Sequence, residues 1–420
     1  MLDADQRPHK RSPISLFIRL TVSGSILSAL LWIGIAIALY SLVRANPRPP
    51  HRVAAVTFRH VYPPNPVAPG PTAAVRRGPL PTRQARLPIR IVTRSRRPLI
   101  QSLSALTKIL PPGTLDQTSS GTWELHQPLR LSSGTTLTLA GPVTLDLAPG
   151  AFVEVSDGAA IWLQGVTVQA VDAVGAPASS ALATRGYLDI GAGGGAVLVG
   201  DTFNDLGSNN ADTYGVALDG AKAALISGCS FQHDFYGLYL TGLSGGTITD
   251  NQVVDSARYG LEVRADHNLL ISNNDVTGSA IHGIELDAGS LHNRLLGNTV
   301  TASGDRGVMV DQASNDNLIA QNQVNASFDG ITVQDSVGNL LTGNNVGSVK
   351  RFGLEITGPS SSNVSAYNVF KGAIVGTFID QGATDNHLVG NFFRHNYENV
   401  RARRSSHGNS VSPRPSDSEL

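Results

Sequence analysis

The chain has 420 residues, 44 of them glycine, with 6% aromatic residues, 15% charged residues and a formal net charge of zero. Much glycine and little charge argue against a helical enzyme, and a single cysteine, Cys229, excludes an intramolecular disulfide and a cysteine-built metal cage. The zero hides an asymmetry: residues 44–98 hold 12 arginines and no acid, whereas 99–400 hold 28 acids against 12 Lys and Arg.

Residues 1–19 read as a short cytoplasmic tail. From Leu20 to Val43 no charge interrupts 24 positions, which at about 1.5 Å per residue is enough to cross a hydrocarbon core of about 30 Å. Segment 20–43 is therefore expected to be a transmembrane helix holding the chain in the cytoplasmic (inner) membrane. A cleavable signal peptide is the rival reading, with Val43-Arg44-Ala45 as a loose cleavage site, but its apolar core would be shorter. Arginine and lysine flank both ends of the span, so charge alone does not orient it. The body is placed outside, facing the periplasm or cell exterior, from its expected fold and the short tail.

Residues 44–98 carry 12 prolines among the arginines, a composition that cannot bury a core and reads as a disordered stalk. It is a solubilising spacer, or one whose charge holds anionic headgroups or polymer. Leu99, Ile100, Leu103, Leu106 and Ile109 then recur at helical spacing before Pro111-Pro112-Gly113, predicting a helix that caps the open end of a solenoid.

The body shows an internal repeat with a period near 23 residues: YGVALDG from Tyr214, YGLYLTG from Tyr236, YGLEVRA from Tyr259, HGIELDA from His282, RGVMVDQ from Arg306, DGITVQD from Asp329, FGLEITG from Phe352 and VGTFIDQ from Val375. In each phrase apolar and variable residues alternate after the glycine, the period of a strand with one face inward. Asn251, Asn274, Asn298, Asn322, Asn344, Asn368 and Asn391 follow at one rung position, where stacked amides form a ladder. A second column, Asn268, Asn293, Asn317, Asn339, Asn363 and Asn386, suits the same turn chemistry. The expected fold is all-β: a single-stranded, right-handed parallel β-helix over 99–400, followed by a disordered tail, 401–420. Gly191 to Gly195 is a rung turn rather than a phosphate loop, because no helix follows it. Cys229 falls at a buried rung position, and His233 and His387 fall at exposed turns.

From about Gly121 to Phe393 the phrases resemble, in order and spacing, the periplasmic mannuronan (alginate) C5-epimerases. The resemblance implies a β-helix acting on a uronate polymer. The family's catalytic rung reads Tyr-Gly-apolar-Asp-Pro-His; here it is Tyr259, Gly260, Leu261, Glu262, Val263 and Arg264, so the tyrosine is kept, the acid is one carbon longer and arginine replaces histidine. His282-Gly283 matches the family's next rung, whereas Ala288 stands near the place of the arginine that neutralises the sugar carboxylate.

Strand alternation puts Glu262, Glu285 and Glu355 in one outward column and Arg264, Asp287 and Asp311 in the next, on rungs about 4.8 Å apart. Such a cluster suits general acid work, a carboxylate pair cleaving a glycoside, or a hard cation such as calcium, although no cofactor is required. It is also what a solvated acidic face would look like. Tyr214, Tyr236 and Tyr259 precede the glycines, as a stack at the turn or as rings on which sugars lie.

Three functions compete. An epimerase- or lyase-like enzyme on an acidic exopolysaccharide would use Tyr259, Glu262, Arg264, His267 or His282, and Glu285, with Tyr214, Tyr236, Asp287 and Asp311 binding substrate. A glycoside hydrolase would use Glu262, Glu285, Asp287 and Asp311. A catalytically silent scaffold would bind polysaccharide beside export proteins. The acidic body opposes a polyanionic ligand at long range. The basic stalk has no folded aromatic platform, so nucleic acid is not an expected partner.

Overall fold

The computed structural model describes residues 89–91 and 99–412, apart from short breaks at 133, 180–183 and 211. The expected tail 1–19, the apolar span 20–43 and nearly all of the stalk lie outside the described residues. No helix among the described residues is long and apolar enough to cross a membrane.

The alternating phrases form strands because each rung buries one face against the rungs above and below. The result is a right-handed parallel β-solenoid of about 12 turns. Its first sheet has 13 strands, running from Ile89–Ile91 to Glu398–Ala402. The other strands stack in two further columns, and the long strands Thr136–Leu147 and Ala160–Ala170 pair along both. The described exception to parallel pairing between strands is an antiparallel hairpin, Leu115–Ser119 with Thr122–Leu125, at the N-terminal end. Beside it a five-residue helix, Leu103–Thr107, starts at Ser102, whose hydroxyl accepts from the Ala105 amide, and buries Leu103 and Leu106.

A continuous apolar core runs from Ile100 to Leu388, including Leu240, Val263, Leu286, Val310, Val333 and Ile356 on successive rungs of the first sheet. The repeated glycine of each phrase is a matter of close approach. At Gly260 a side chain would meet Val276 and lie 2.6 Å from the Gly283 carbonyl oxygen.

The first asparagine column is a ladder in which, for example, Asn298 Nδ2 donates to Asn322 Oδ1 at 3.0 Å and to the Ile271 carbonyl at 3.0 Å. The second column runs Asn293, Asn317, Asn339, Asn363, Asn386 and on to Asn409. Asn268 is not in it. It is exposed, at φ 60, one place out of step, and the amide above Asn293 is that of Leu269.

Two boundaries differ from expectation. Ile89–Ile91, within the stalk, pairs with Leu129–Leu131. At the other end Ser410–Ser412 pairs with His387–Val389, so part of the expected tail is a rung, because Asn409 continues the amide ladder.

Candidate functional site

The register of the first sheet sets Tyr239 beside Glu262, Glu262 beside Glu285, and Glu285 beside Met309. Thr332 and Glu355 follow on the next two rungs. Two places further along the strands, Thr241, Arg264 and Asp287 are neighbours. The two outward columns expected from alternation are therefore present, with Met309 and Thr332 separating Glu355 from Glu285.

Arg264 is held on both sides, by Glu262 Oε1 at 2.9 Å and Asp287 Oδ2 at 2.7 Å. Its charge is met within the protein. Glu262 and Glu285 are 2% and 7% exposed, and each keeps an Oε2 with no hydrogen-bond partner among the described residues. Burial first, and then the nearby charges of Glu262, Asp287 and Asp311, push the Glu285 carboxyl up to about 8, against the opposing Arg264. Burial also raises Glu262, although the Arg264 hydrogen bond and charge oppose it. Asp311 is pushed up to about 6 by burial, its Oδ1 accepting from the Gln312 amide at 2.6 Å. Burial raises both carboxyls, and the Arg264 bond to Glu262 leaves Glu285 the one of the pair that holds a proton more readily.

The residues before the glycines form a second wall. Tyr214 and Tyr236 meet edge to face, as do Tyr236 and Tyr259, while the His282 ring lies parallel to Tyr259 with centroids 5.1 Å apart. Tyr239 packs against Tyr214 at 4.5 Å, joining the wall to the acid column. Burial and the Glu285 charge push the Tyr259 phenol up to about 12, so it stays protonated.

Arg258 completes the group. Its guanidinium lies 5.0 Å from the Tyr259 ring centroid and 5.8 Å from that of Tyr236, and it donates to the Tyr259 hydroxyl at 3.3 Å. No carboxylate pairs with it within 4 Å among the described residues. The structure thus gathers Tyr214, Tyr236, Tyr259, Glu262, Arg264, His282, Glu285 and Asp287, with Asp311 one rung beyond. His267 stands apart: it lies on the turn after the strand, where its amide donates to the Leu243 carbonyl and its backbone bridges to Leu291. Sequence reasoning missed Arg258 and Tyr239. Tyr239 has the same alternation as Glu262 and was readable; Arg258 precedes the phrase that defined the repeat.

The fold is similar to that of solved structures of the periplasmic alginate epimerase AlgG. The TM-score is 0.61 at 20% identity, covering 75% of this chain and 83% of that one. A double mutant of AlgG gives a TM-score of 0.69 with the same identity and coverage. The Azotobacter vinelandii mannuronan C-5 epimerase AlgE6 A-module gives 0.47 at 14% identity, over 70% of this chain and 92% of that one. At 20% identity the likeness to AlgG is one of fold, and in that sense the resemblance seen in the repeat phrases holds. No curated protein sequence matches the chain. Residues 190–328 and 314–415 match the family described as periplasmic copper-binding protein (NosD). These matches span more than half of the sequence, and the chain belongs to the NosD family.

Proposed function

We propose that the protein acts on an acidic polysaccharide laid over the first sheet, moving a proton on the carbon next to a uronate carboxylate. The observation that carries this reading is Arg258, a cation with no carboxylate within 4 Å among the described residues, set at the hydroxyl of a protonated tyrosine. Proton abstraction beside a carboxylate needs positive charge on that carboxylate, a base on one face of the ring and an acid on the other. Arg258 supplies the charge, in place of Arg264. A sugar ring standing between the acid column and the tyrosine wall offers one face to Glu262 and the other to Tyr259. Glu262 takes the proton and the electron pair moves onto the carboxylate. Return of a proton from Tyr259 to the opposite face gives the epimer, whereas departure of the neighbouring glycosidic oxygen, protonated by Glu285, gives the unsaturated sugar.

One observation favours a second reading. Glu262 and Glu285 are paired across adjacent strands, whose backbones run about 4.8 Å apart, a spacing that lets the two carboxyls approach the ~5–5.5 Å of pairs that cleave glycosides with retention. A protonated Glu285 suits the acid of that reaction too. The discriminating experiment is incubation with mannuronan, polygalacturonate and neutral glucans, followed by proton NMR of the anomeric region. Inverted uronate signals or new unsaturated-sugar signals support the first reading. New reducing ends from a neutral glucan support the second, and binding without reaction leaves a scaffold.

The family and the AlgG structures are described as periplasmic, which fits a body working outside the cytoplasmic membrane, tethered through 20–43 near export proteins. The family description also names copper. Copper favours imidazole, thiolate and thioether donors, yet no group of three or more His, Cys, Asp or Glu that could hold a metal occurs among the described residues. The Cys229 thiol is buried against the Ser227 carbonyl oxygen, and burial pushes it up to about 12. The described residues do not fit a copper centre.

A further inference from the structure

The two ring nitrogens of His282 are not equivalent. Nδ1 accepts from the backbone N–H of Arg306 on the next rung, at 3.3 Å. Nε2 has no hydrogen-bond partner among the described residues. The residue is 7% exposed and its ring lies parallel to that of Tyr259, which fixes its plane. A neutral imidazole whose Nδ1 accepts carries its proton on Nε2. A second proton on Nδ1 would set one donor against another in a buried place that feels two guanidiniums, Arg258 on the preceding rung and Arg306 on the next. Tyr259 stays protonated and Glu285 is held largely protonated, so neither offers His282 a compensating negative charge near neutral pH. The Ile281 carbonyl pulls the other way, but burial and the arginines prevail and push the imidazolium down to about 3.

We propose, resting on the proton-transfer reading above, that His282 is a fixed neutral hydrogen-bond donor through Nε2–H to the uronate carboxylate, and is not the base. In the reaction the proton passes from carbon to Glu262, and the electron pair is received on carboxylate oxygens held by Arg258 and by this N–H. No proton leaves His282. Its role is that of an oxyanion donor, and the base of the reaction belongs to the acid column.

The test uses the full-length chain labelled with nitrogen-15 in its histidine rings, the His282 signals being those lost in His282→Gln. The expected spectrum has an unprotonated Nδ1 and a protonated Nε2, unchanged between about pH 5 and about pH 8, the window in which an ordinary histidine titrates. Titration within that window, or a proton on Nδ1, overturns the proposal whatever the activity. On a mannuronan substrate His282→Gln, which keeps an N–H donor, should retain turnover within about 10-fold, while His282→Ala loses at least about 100-fold. Equal loss in both variants, with both still folded, overturns the donor role while leaving the proton-transfer reading standing. If the parent turns over no uronate polymer although its spectrum is as expected, the reading of the reaction fails and the donor role fails with it.

Discussion

Replacing Glu285 with glutamine should change the pH dependence of folding in a way that can be calculated. Glu285 is 7% exposed, lies beside Glu262 on the neighbouring rung, and feels Asp287 and Asp311. Burial and the neighbouring carboxylates push its carboxyl up to about 8 in the fold, against an ordinary 4.5. The unfolded chain therefore releases this proton near 4.5, while the folded chain keeps it to about 8. Across that window the unfolded state binds fewer protons, so stability falls as pH rises and levels off above about 8. At about 1.4 kcal/mol for each tenfold in proton affinity, the ceiling is about 5 kcal/mol. Relaxation and water entry bring the expected effect to about 2–3 kcal/mol. Glutamine keeps the shape and has no proton to lose. Glu285→Gln should match the parent within about 0.5 kcal/mol at pH near 4.5 and exceed it by about 2–3 kcal/mol at pH near 8.5. For a fold of this size that is a rise of about 4 °C in Tm. Urea titrations followed by circular dichroism across this pH range measure it. A difference that stays constant from one end of the range to the other would refute the argument, because a packing change carries no pH slope.

Other consequences can be checked separately. Arg258→Ala should remove at least about 100-fold of turnover on a uronate polymer, whereas Arg264→Ala should chiefly shift the pH profile by releasing Glu262 and Asp287; the reverse ranking in a steady-state assay would return the carboxylate to Arg264. Asn298→Leu breaks bonds to Ile271, Asn274 and Asn322 and should cost about 2–4 kcal/mol in urea titrations, while the same change at Asn409 in the last rung should cost less. Cys229 should resist iodoacetamide in the native state and react on unfolding, since its thiol is buried and pushed up to about 12. Protease added to intact spheroplasts should cut within 44–98 if the body is outside; cleavage only after lysis would place it inside.

Much of the fold was legible because a solenoid makes tertiary structure nearly local. Each rung packs on a copy of itself about one period away, so the period of the phrases already sets the register, and alternation already sets the columns of Glu262 and Glu285 and of Arg264 and Asp287. The asparagine ladder follows from the same repetition. Where the repeat slips by one residue, pattern failed: Asn268 looked like a ladder member and is an exposed turn residue, and Asn409 was left to a tail although it extends the ladder. The chemistry of the site depended on quantities that no pattern carries. Arg264 and Arg258 are equally charged in a sequence, but only packing decides that the first is matched by two carboxylates and the second lies against two tyrosine rings. Glu285 holds its proton, and His282 stays neutral, because of burial among particular neighbours on adjacent rungs. Residue types and their order determined the stack; the desolvation and pairing of each charge, which depend on distances between rungs, were decided by the tertiary structure alone.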